Sequence, residues 1–457
     1  MSYDDDYNFC APGDYPIGYP PDKERNFLSS MSGKHEDSFR HLLDVYGCDN
    51  LNFYQGLNIL QWAAKYDFFR GVEILCQRGL NPNAKGYEGY NSALDFAILN
   101  NNYEMARLLL AKGADANSTF KYSKGPMAKQ VSKCSLGLAL EEDLPHFVQL
   151  LLAHGANPNA YHDEEPLMTM AAKRCHPSVV DLLALYQGNV NVQDCDGNTA
   201  LHIAALKGQE KLVQRLVKRY YADVCIKNNN QDMAMHLAVS RKNLGILKTL
   251  QQQGTPIFEV NCGGKSVVSL VVEQNDKKLL SCVFDHWLRE FSFTDRKEWR
   301  LNRYLTDAAR RQHIFSMEYL VRHVSDCNEV DADGKTALHY VCEHGFEEQF
   351  NILLPYLDRF DLNKQDYAGN TPIIYAAGCK NRKIFLTLLE RGADPTIVNH
   401  KNIGVFDKAF RLGSEHVDFI MDKVHNVNKY KGEQPVLIVH HGSNIKPKED
   451  GRGAREE

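Results

Sequence analysis

Three sets of residues in this 457-residue chain have types and spacings that could do chemistry. The first is Gly264-Lys265-Ser266, within NCGGKSVV from Asn261 to Val268, which reads as the end of a phosphate-binding loop. Such a loop needs a glycine five residues ahead of Gly264, so that consecutive backbone N–H groups can curl around phosphate oxygens. That position is Glu259, an anion, and Val260, Asn261 and Cys262 restore no glycine-rich bend. The second set is His202, His236 and His339, candidate general bases in a chain rich in carboxylates. The third comprises metal-ligand types. Twelve cysteines run from Cys10 to Cys379 with no CxxC pair and no cysteine and histidine grouping at zinc spacing, and the pair His440-His441 is too isolated to build a site. No GxSxG, HExxH or kinase set occurs. The reading is therefore a non-enzyme with no cofactor and no metal.

A formal charge of −5 and a hydrophobic fraction of 43% suit a folded protein with a large buried core. No run of roughly 18 apolar residues exists, and the N-terminal MSYDDDYNFCAPGDYPIGYPP is acidic where a secretory signal would be basic and then apolar. The expected location is cytoplasmic, with the nucleus as a second compartment, and no membrane insertion. Most cysteines fall within apolar periodic segments and read as reduced core residues. Mild acidity argues against direct nucleic-acid binding, which needs a concentrated basic face.

The elements that must hold these residues repeat along the chain. The clearest copy is DGNTALHIAALKGQEKLVQRLV from Asp196 to Val217; others begin DGKTALHYVCEHG at Asp333 and AGNTPIIYAAG at Ala368. Taking the leucine place of TALH as an anchor gives Leu60, Leu94, Leu136, Met168, Leu201, Met235, Val268, Leu305, Leu338, Ile373 and Phe406. Their gaps are 34, 42, 32, 33, 34, 33, 37, 33, 35 and 33 residues. A fixed period of this length is the mark of a stacked array.

A period near 33 carrying T-A/P-L-H-x-A resembles the ankyrin repeat, and the resemblance covers about Lys23 to Lys429. It implies an all-α repeat solenoid of helix-turn-helix units with β-hairpin fingers. Residues 1–22 form an N-terminal arm and 23–55 a degenerate capping repeat, LSSMSGKHEDSFRHLLDVYG lying within it. Seven repeats occupy 56–303, with an enlarged finger at 117–133. Four more occupy 304–429, and 430–457 is a disordered tail.

The residue types fit that pattern. Thr199 and Thr336 are expected to cap a first helix by accepting from its orphan N–H groups, and Thr371-Pro372 places a cap before a first-turn proline. Paired alanines such as Ala204-Ala205 let helices approach, and Gly208 and Gly345 end the helix in a left-handed conformation. Leucine runs such as Leu150-Leu151-Leu152 face the core from a second helix. Gly264-Lys265-Ser266 stands where Gly197-Asn198-Thr199 and Gly334-Lys335-Thr336 stand, so it is a finger turn and a helix cap. Each of the three histidines takes the fourth place of TALH, where a ring nitrogen bonds the capping turn and stitches neighbouring repeats. The end repeats need polar outer faces, which suits Lys34 to His41 and Arg411 to Asn426.

Two places break the period. The enlarged finger from Asn117 to Lys133 carries Lys121, Lys124, Lys129 and Lys133, and Phe284 to Tyr304 lengthens a second helix and its following finger. Trp287 and Phe291 there read as burying the longer helix, and Trp299 and Arg300 as contacts nearer the fingertip. In the family, partners usually lie on the side made by fingers and first helices. The places two beyond the paired alanines hold Glu141-Glu142, Lys173-Arg174, Leu206-Lys207, Ser240-Arg241, Glu273-Gln274, Arg310-Arg311 and Glu343-His344, a moderately basic centre flanked by acidic residues. The expected partner is an acidic or phosphorylated segment of an intracellular protein lying across Lys173, Arg174, Arg241, Arg310 and Arg311.

The function that follows is a non-catalytic scaffold or adaptor in signalling. One alternative is a regulator that holds a transcription factor as the inhibitor of NF-kappa-B proteins do, which this chain resembles in its repeats. Another is a regulatory subunit of an enzyme.

Overall fold

The computed structural model describes residues 22–47, 57–84, 91–123, 130–290 and 301–431. Its contacts divide the chain into two compact units, Met1–Leu270 and Val271–Glu457. In the N-terminal unit the first helices Ile59–Lys65, Ala93–Leu99, Ser135–Glu141, Leu167–Lys173, Ala200–Lys207 and Ala234–Ser240 pack in sequence order, each on the next. In the C-terminal unit Leu301–Arg310, Ala337–His344, Pro372–Ala377 and Val405–Phe410 do the same. Second helices such as Pro145–Ala153 and Pro177–Leu185 form a parallel layer. Helix Lys277–Glu290 has 14 residues where other second helices have about nine, as the break at Phe284 requires.

The anchors Leu60, Leu94, Leu136, Leu201, Leu305 and Leu338 are at most 1% exposed, and each buried leucine contributes about 1.5–3 kcal/mol. The sixth place after the cap position is small or apolar and equally buried: Ala64, Leu140, Ala172, Ala205, Ala309, Cys342 and Ala377. There the sequence must be small because the next first helix lies against it. In the last repeat that place is Phe410, 75% exposed. At this place the last first helix keeps the apolar residue of an interior repeat.

Fingers begin with an Asp or Asn that clasps its own turn. Oδ1 of Asp194 accepts from the N–H groups of Asp196 and Asn198 at 3.0 and 2.8 Å; Asn228, Asn261, Asp331, Asp366 and Asn399 repeat the pattern. Gly264, at φ 67°, completes this turn in NCGGKS, and the Ser266 hydroxyl accepts from Ser269 N–H at 3.2 Å. The phosphate-loop resemblance is a finger turn and a helix cap, as expected. Gly208 and Gly345 close their helices at φ 71° and 69°.

The caps differ in part from expectation. Thr199 accepts from His202 N–H, but Thr336 and Thr371 make no such bond. Thr336 instead bonds the His339 ring, 2.8 Å from Nδ1. The cysteines differ too: Cys76, Cys134, Cys327, Cys342 and Cys379 are buried, whereas Cys175, Cys195, Cys225 and Cys262 occupy turns and fingers and are exposed.

In several repeats the fourth position of the cap motif joins one repeat to the next. Nδ1 of His202, His236 and His339 accepts from the N–H of the cap residue at 3.3, 3.2 and 3.1 Å. Nε2 then donates to the next finger, to the carbonyls of Asp232, Glu259 and Lys364. Both bonds require a neutral ring, and burial lowers all three pKa values. They are structural, not general bases. Gln61 performs the same task with its amide, accepting from Asn58 N–H and donating to the Asn91 carbonyl. Thr306 reaches the Glu329 carbonyl.

This network sets a pH dependence. Unfolded imidazoles titrate near 6.5, so below about that pH the unfolded chain takes up protons that the buried rings resist, and stability falls as pH falls. Urea unfolding between pH 7.5 and 5.5 should show each histidine contributing up to about 1.4 kcal/mol per pH unit. His202→Gln should remove one proton from that slope; an unchanged slope would show that His202 does not fold neutral.

Candidate partner-binding face

The residues at the C-terminal ends of first helices form a register. Eight places after the cap position, Asn100, Arg174 and Lys207 each reach back to the end of the preceding first helix. Asn100 donates to Ala64 O at 2.8 Å, Arg174 to Glu141 O at 2.8 Å, and Lys207 to Lys173 O. A cation suits this place because unsatisfied carbonyls give a helix C-terminus partial negative charge. Among the described residues neither Arg174 nor Lys207 meets a carboxylate. Arg241 holds the same register place one repeat further on, exposed and in no ion pair among the described residues. Helices in contact lie about 8–10 Å apart, so these three cations extend over about 20 Å.

Lys173 behaves differently. Its Nζ lies 2.8 Å from Glu165 and 2.9 Å from Asp194. Burial would lower its pKa, but the two carboxylates more than offset this and hold it raised. Lys173 thus braces the Asp194 finger clasp. In the C-terminal unit, Arg310 is 2.5 Å from Asp307, and Arg311 is 3.1 Å from Glu273 and 3.9 Å from Asp307. Trp299 and Arg300 lie outside the described residues, as does Phe291.

The enlarged finger contains strands β1 (Thr119–Ser123) and β2 (Gln130–Cys134), paired antiparallel. The next finger adds β3 (Tyr161–His162) and β4 (Glu165–Pro166), also an antiparallel pair, with Asp163 N–H donating to Ser132 O. Cys134-Ser135-Leu136-Gly137 stands where TALH stands, so the linking histidine is missing at Gly137. His162 fills its place from the next finger. A Cβ at Gly137 would lie 2.0 Å from His162 Nδ1, and that atom accepts from the N–H of Cys134, the cap residue, at 3.2 Å. A histidine replaced in sequence is thus supplied again in space. Sequence reasoning did not find this substitution; its signal was the glycine in TALH's fourth place.

The other ring nitrogen, Nε2, is 3.3 Å from Glu141, which Lys133 also meets at 2.7 Å. Burial raises the pKa of Glu141, but His162 and Lys133 more than offset it and hold it at about 2. Glu141, His162 and Asp163 bring potential ligand atoms within 4.8 Å of one another. They fit a metal poorly. Burial would lower the pKa of His162, but its contacts with Cys134 and Glu141 hold it up to about 9, so Nε2, the atom that would have to ligate, carries a proton, and an ammonium already sits on Glu141. The cluster is a clamp between two fingers.

What these surfaces define is a class of protein in which buried polar links join successive helical repeats into an array. A family model described as "Ankyrin repeats (3 copies)" matches residues 27–120, 136–228, 167–258 and 305–399. The chain belongs to the ankyrin-repeat family. It is 26% identical over 249 residues to the Gallus gallus nuclear factor NF-kappa-B p105 subunit, covering 51% of this chain and 25% of that protein. Protein glp-1 of Caenorhabditis elegans is 30% identical over 240 residues, covering 51% and 16%. Human B-cell lymphoma 3 protein is 24% identical over 241 residues, covering 52% of each. The chain thus spans a quarter or less of the first two and about half of the third. The crystal structure of the ankyrin repeat domain of Bcl-3 has a TM-score of 0.41 at 24% identity, over 50% of this chain and 97% of that one. Ankyrin repeats are generally a non-enzymatic fold for protein interaction, and among the described residues no helix is long and apolar enough to cross a membrane.

The exchange of Gly137 and His162 can be tested by a double-mutant cycle. Gly137→His crowds His162, and His162→Ala strands the Cys134 N–H and leaves a cavity, so each should cost about 2–3 kcal/mol in urea unfolding. The double variant restores a histidine in the family's usual place and should cost less than either change alone. Additive costs would show that the two residues do not share one site.

Proposed function

We propose that the protein is a non-catalytic scaffold or adaptor whose first-helix face binds an acidic or phosphorylated segment of an intracellular protein. The observation that carries this is the row Arg174, Lys207 and Arg241: three cations in one register place of three successive repeats, none answered by a carboxylate among the described residues. At about 3.3 Å per residue, six or seven residues of extended chain would follow the row. Arg310 and Arg311 offer a second locus in the C-terminal unit, where an incoming anion would exchange with Asp307 and Glu273. Lys173 serves that face by positioning a finger. Trp299 and Arg300 remain contact candidates on their residue types.

A second reading is favoured by the relatives. Nuclear factor NF-kappa-B p105 subunit and NF-kappa-B inhibitor zeta of Mus musculus both match about half of this chain, so the partner on this reading is a transcription factor of the NF-kappa-B kind, reached in the nucleus as well as the cytoplasm.

Capture from cell extract with the intact chain and with the Arg174→Glu, Lys207→Glu, Arg241→Glu variant tests the first reading. A partner should be lost from the variant alone, with at least tenfold weaker affinity per reversal, about 1.4 kcal/mol each, and its binding should weaken with salt. Equal retention by both baits, at unchanged thermal unfolding, would remove the row from the binding face. Purified NF-kappa-B dimer in the same assay decides the second reading: saturable binding supports it, and none above a blank surface excludes it.

A further inference from the structure

The second-helix layer of the N-terminal unit departs from the repeat pattern at two adjacent places. Nineteen residues after the cap position, at the end of the second helix, other repeats carry Gln77, Ala111, Ala153, Lys218, Gln252 and Glu390. One repeat carries Leu185 there, 64% exposed. In the next repeat the chain from Val217 to Ala222 is one residue longer than the equivalent stretch from Leu152 to Ala156, and the extra length sets out Tyr220-Tyr221, with Tyr221 83% exposed. Leu185 and Tyr221 project from the stack, whereas Tyr220 is half-buried and its hydroxyl ties it to Asp181 of the preceding repeat.

Together they make a site. Helices Pro145–Ala153 and Pro177–Leu185 and the end of Glu210–Lys218 surround a groove of about 480 Å³ whose walls include Pro145, Leu182, Leu185, Asp181, Arg219 and Tyr220. That volume suits one or two inserted side chains. Asp181 is already satisfied, accepting from Arg215 at 2.5 Å and from the Tyr220 hydroxyl at 3.1 Å. Arg219 lies over the Tyr220 ring, 5.3 Å from its centroid, exposed and with no carboxylate partner among the described residues. The groove therefore has an apolar wall and one unanswered positive charge. Aromatic side chains with arginine are the composition of binding hot spots.

We infer that this groove is a second protein-docking site, on the second-helix layer, for a partner segment that inserts a bulky apolar side chain and presents a neighbouring carboxylate to Arg219. It is independent of the cationic row on the first helices, so one chain can hold two partners at once, as a scaffold requires. Two sites of this kind raise the effective concentration of one partner beside the other.

The test places the photo-crosslinker p-benzoylphenylalanine at Leu185 in the full chain inside cells, with the same group at Lys248, an exposed second-helix position, as the reference. The expected result is an adduct specific to position 185, at least tenfold weaker when Arg219→Glu is also present. The crosslinked peptide, synthesised, should bind the purified chain and lose affinity at least tenfold on Arg219→Glu. Changing its acidic residue to arginine should restore binding to that variant, a rescue that altered folding cannot produce. Adduct no stronger than at position 248, an adduct to a second copy of this chain, indifference to Arg219→Glu or failure of the charge swap would each overturn the proposal.

Discussion

The structure depends on a buried polar side chain that has two partners in two repeats. In a one-dimensional stack each repeat contacts only its neighbours, so register between repeats must be specified locally. Apolar burial alone cannot do this, because it has no direction. A neutral histidine does, since its two ring nitrogens are distinct: Nδ1 accepts from the cap N–H of its own helix and Nε2 donates to the following finger. Stranding either partner would cost about 1–3 kcal/mol, so the bond pair selects one relative placement of helix and finger. Gln61 and Thr306 show that the requirement is for a donor aimed at the next finger, not for histidine as such.

That requirement explains how much of the fold was legible. The period, the anchors and the finger turns follow from residue types that have one role each: glycine at positive φ, aspartate or asparagine at a turn, a small residue where the next helix lies close. NCGGKS was readable because its neighbours in the array fixed its meaning. The substitution at Gly137 was not readable, because the compensating ring comes from His162 in another repeat, 25 residues later, and no period links the two. The threonine caps were read too simply for a related reason. A histidine in the fourth place gives the cap hydroxyl a second partner: Thr199 meets both the ring and the N–H of His202, and Thr336 lies 2.8 Å from the His339 ring.

The binding face was legible by position and less so by charge. Register placed Arg174, Arg241, Arg310 and Arg311 at helix ends, but spacing cannot show which cations are already answered. Lys173 lies between Glu165 and Asp194, contributed by β4 and by the next finger, so its charge is spent within the array. Lys207 emerges instead. It was an unremarked member of the pair Leu206-Lys207, and its resting place on a carbonyl leaves its charge available.

The same one-dimensional construction separates stability from recognition. Side chains at the cap, anchor and sixth places are mostly buried between neighbours and tolerate little change, whereas the eighth and nineteenth places lie at helix ends, the eighth touching its neighbour only through a hydrogen bond to a helix-end carbonyl. An array can therefore change its exposed ends repeat by repeat at small cost to folding. In this chain those changes cluster: the enlarged finger, the displaced histidine, the cationic row and the Leu185 to Tyr221 departures all lie between Asn117 and Arg241. A stretch where the fold has been rebuilt by compensation is, with the lengthened helix Lys277–Glu290, where this array differs from a generic one, and differences at exposed places are what specificity is made of.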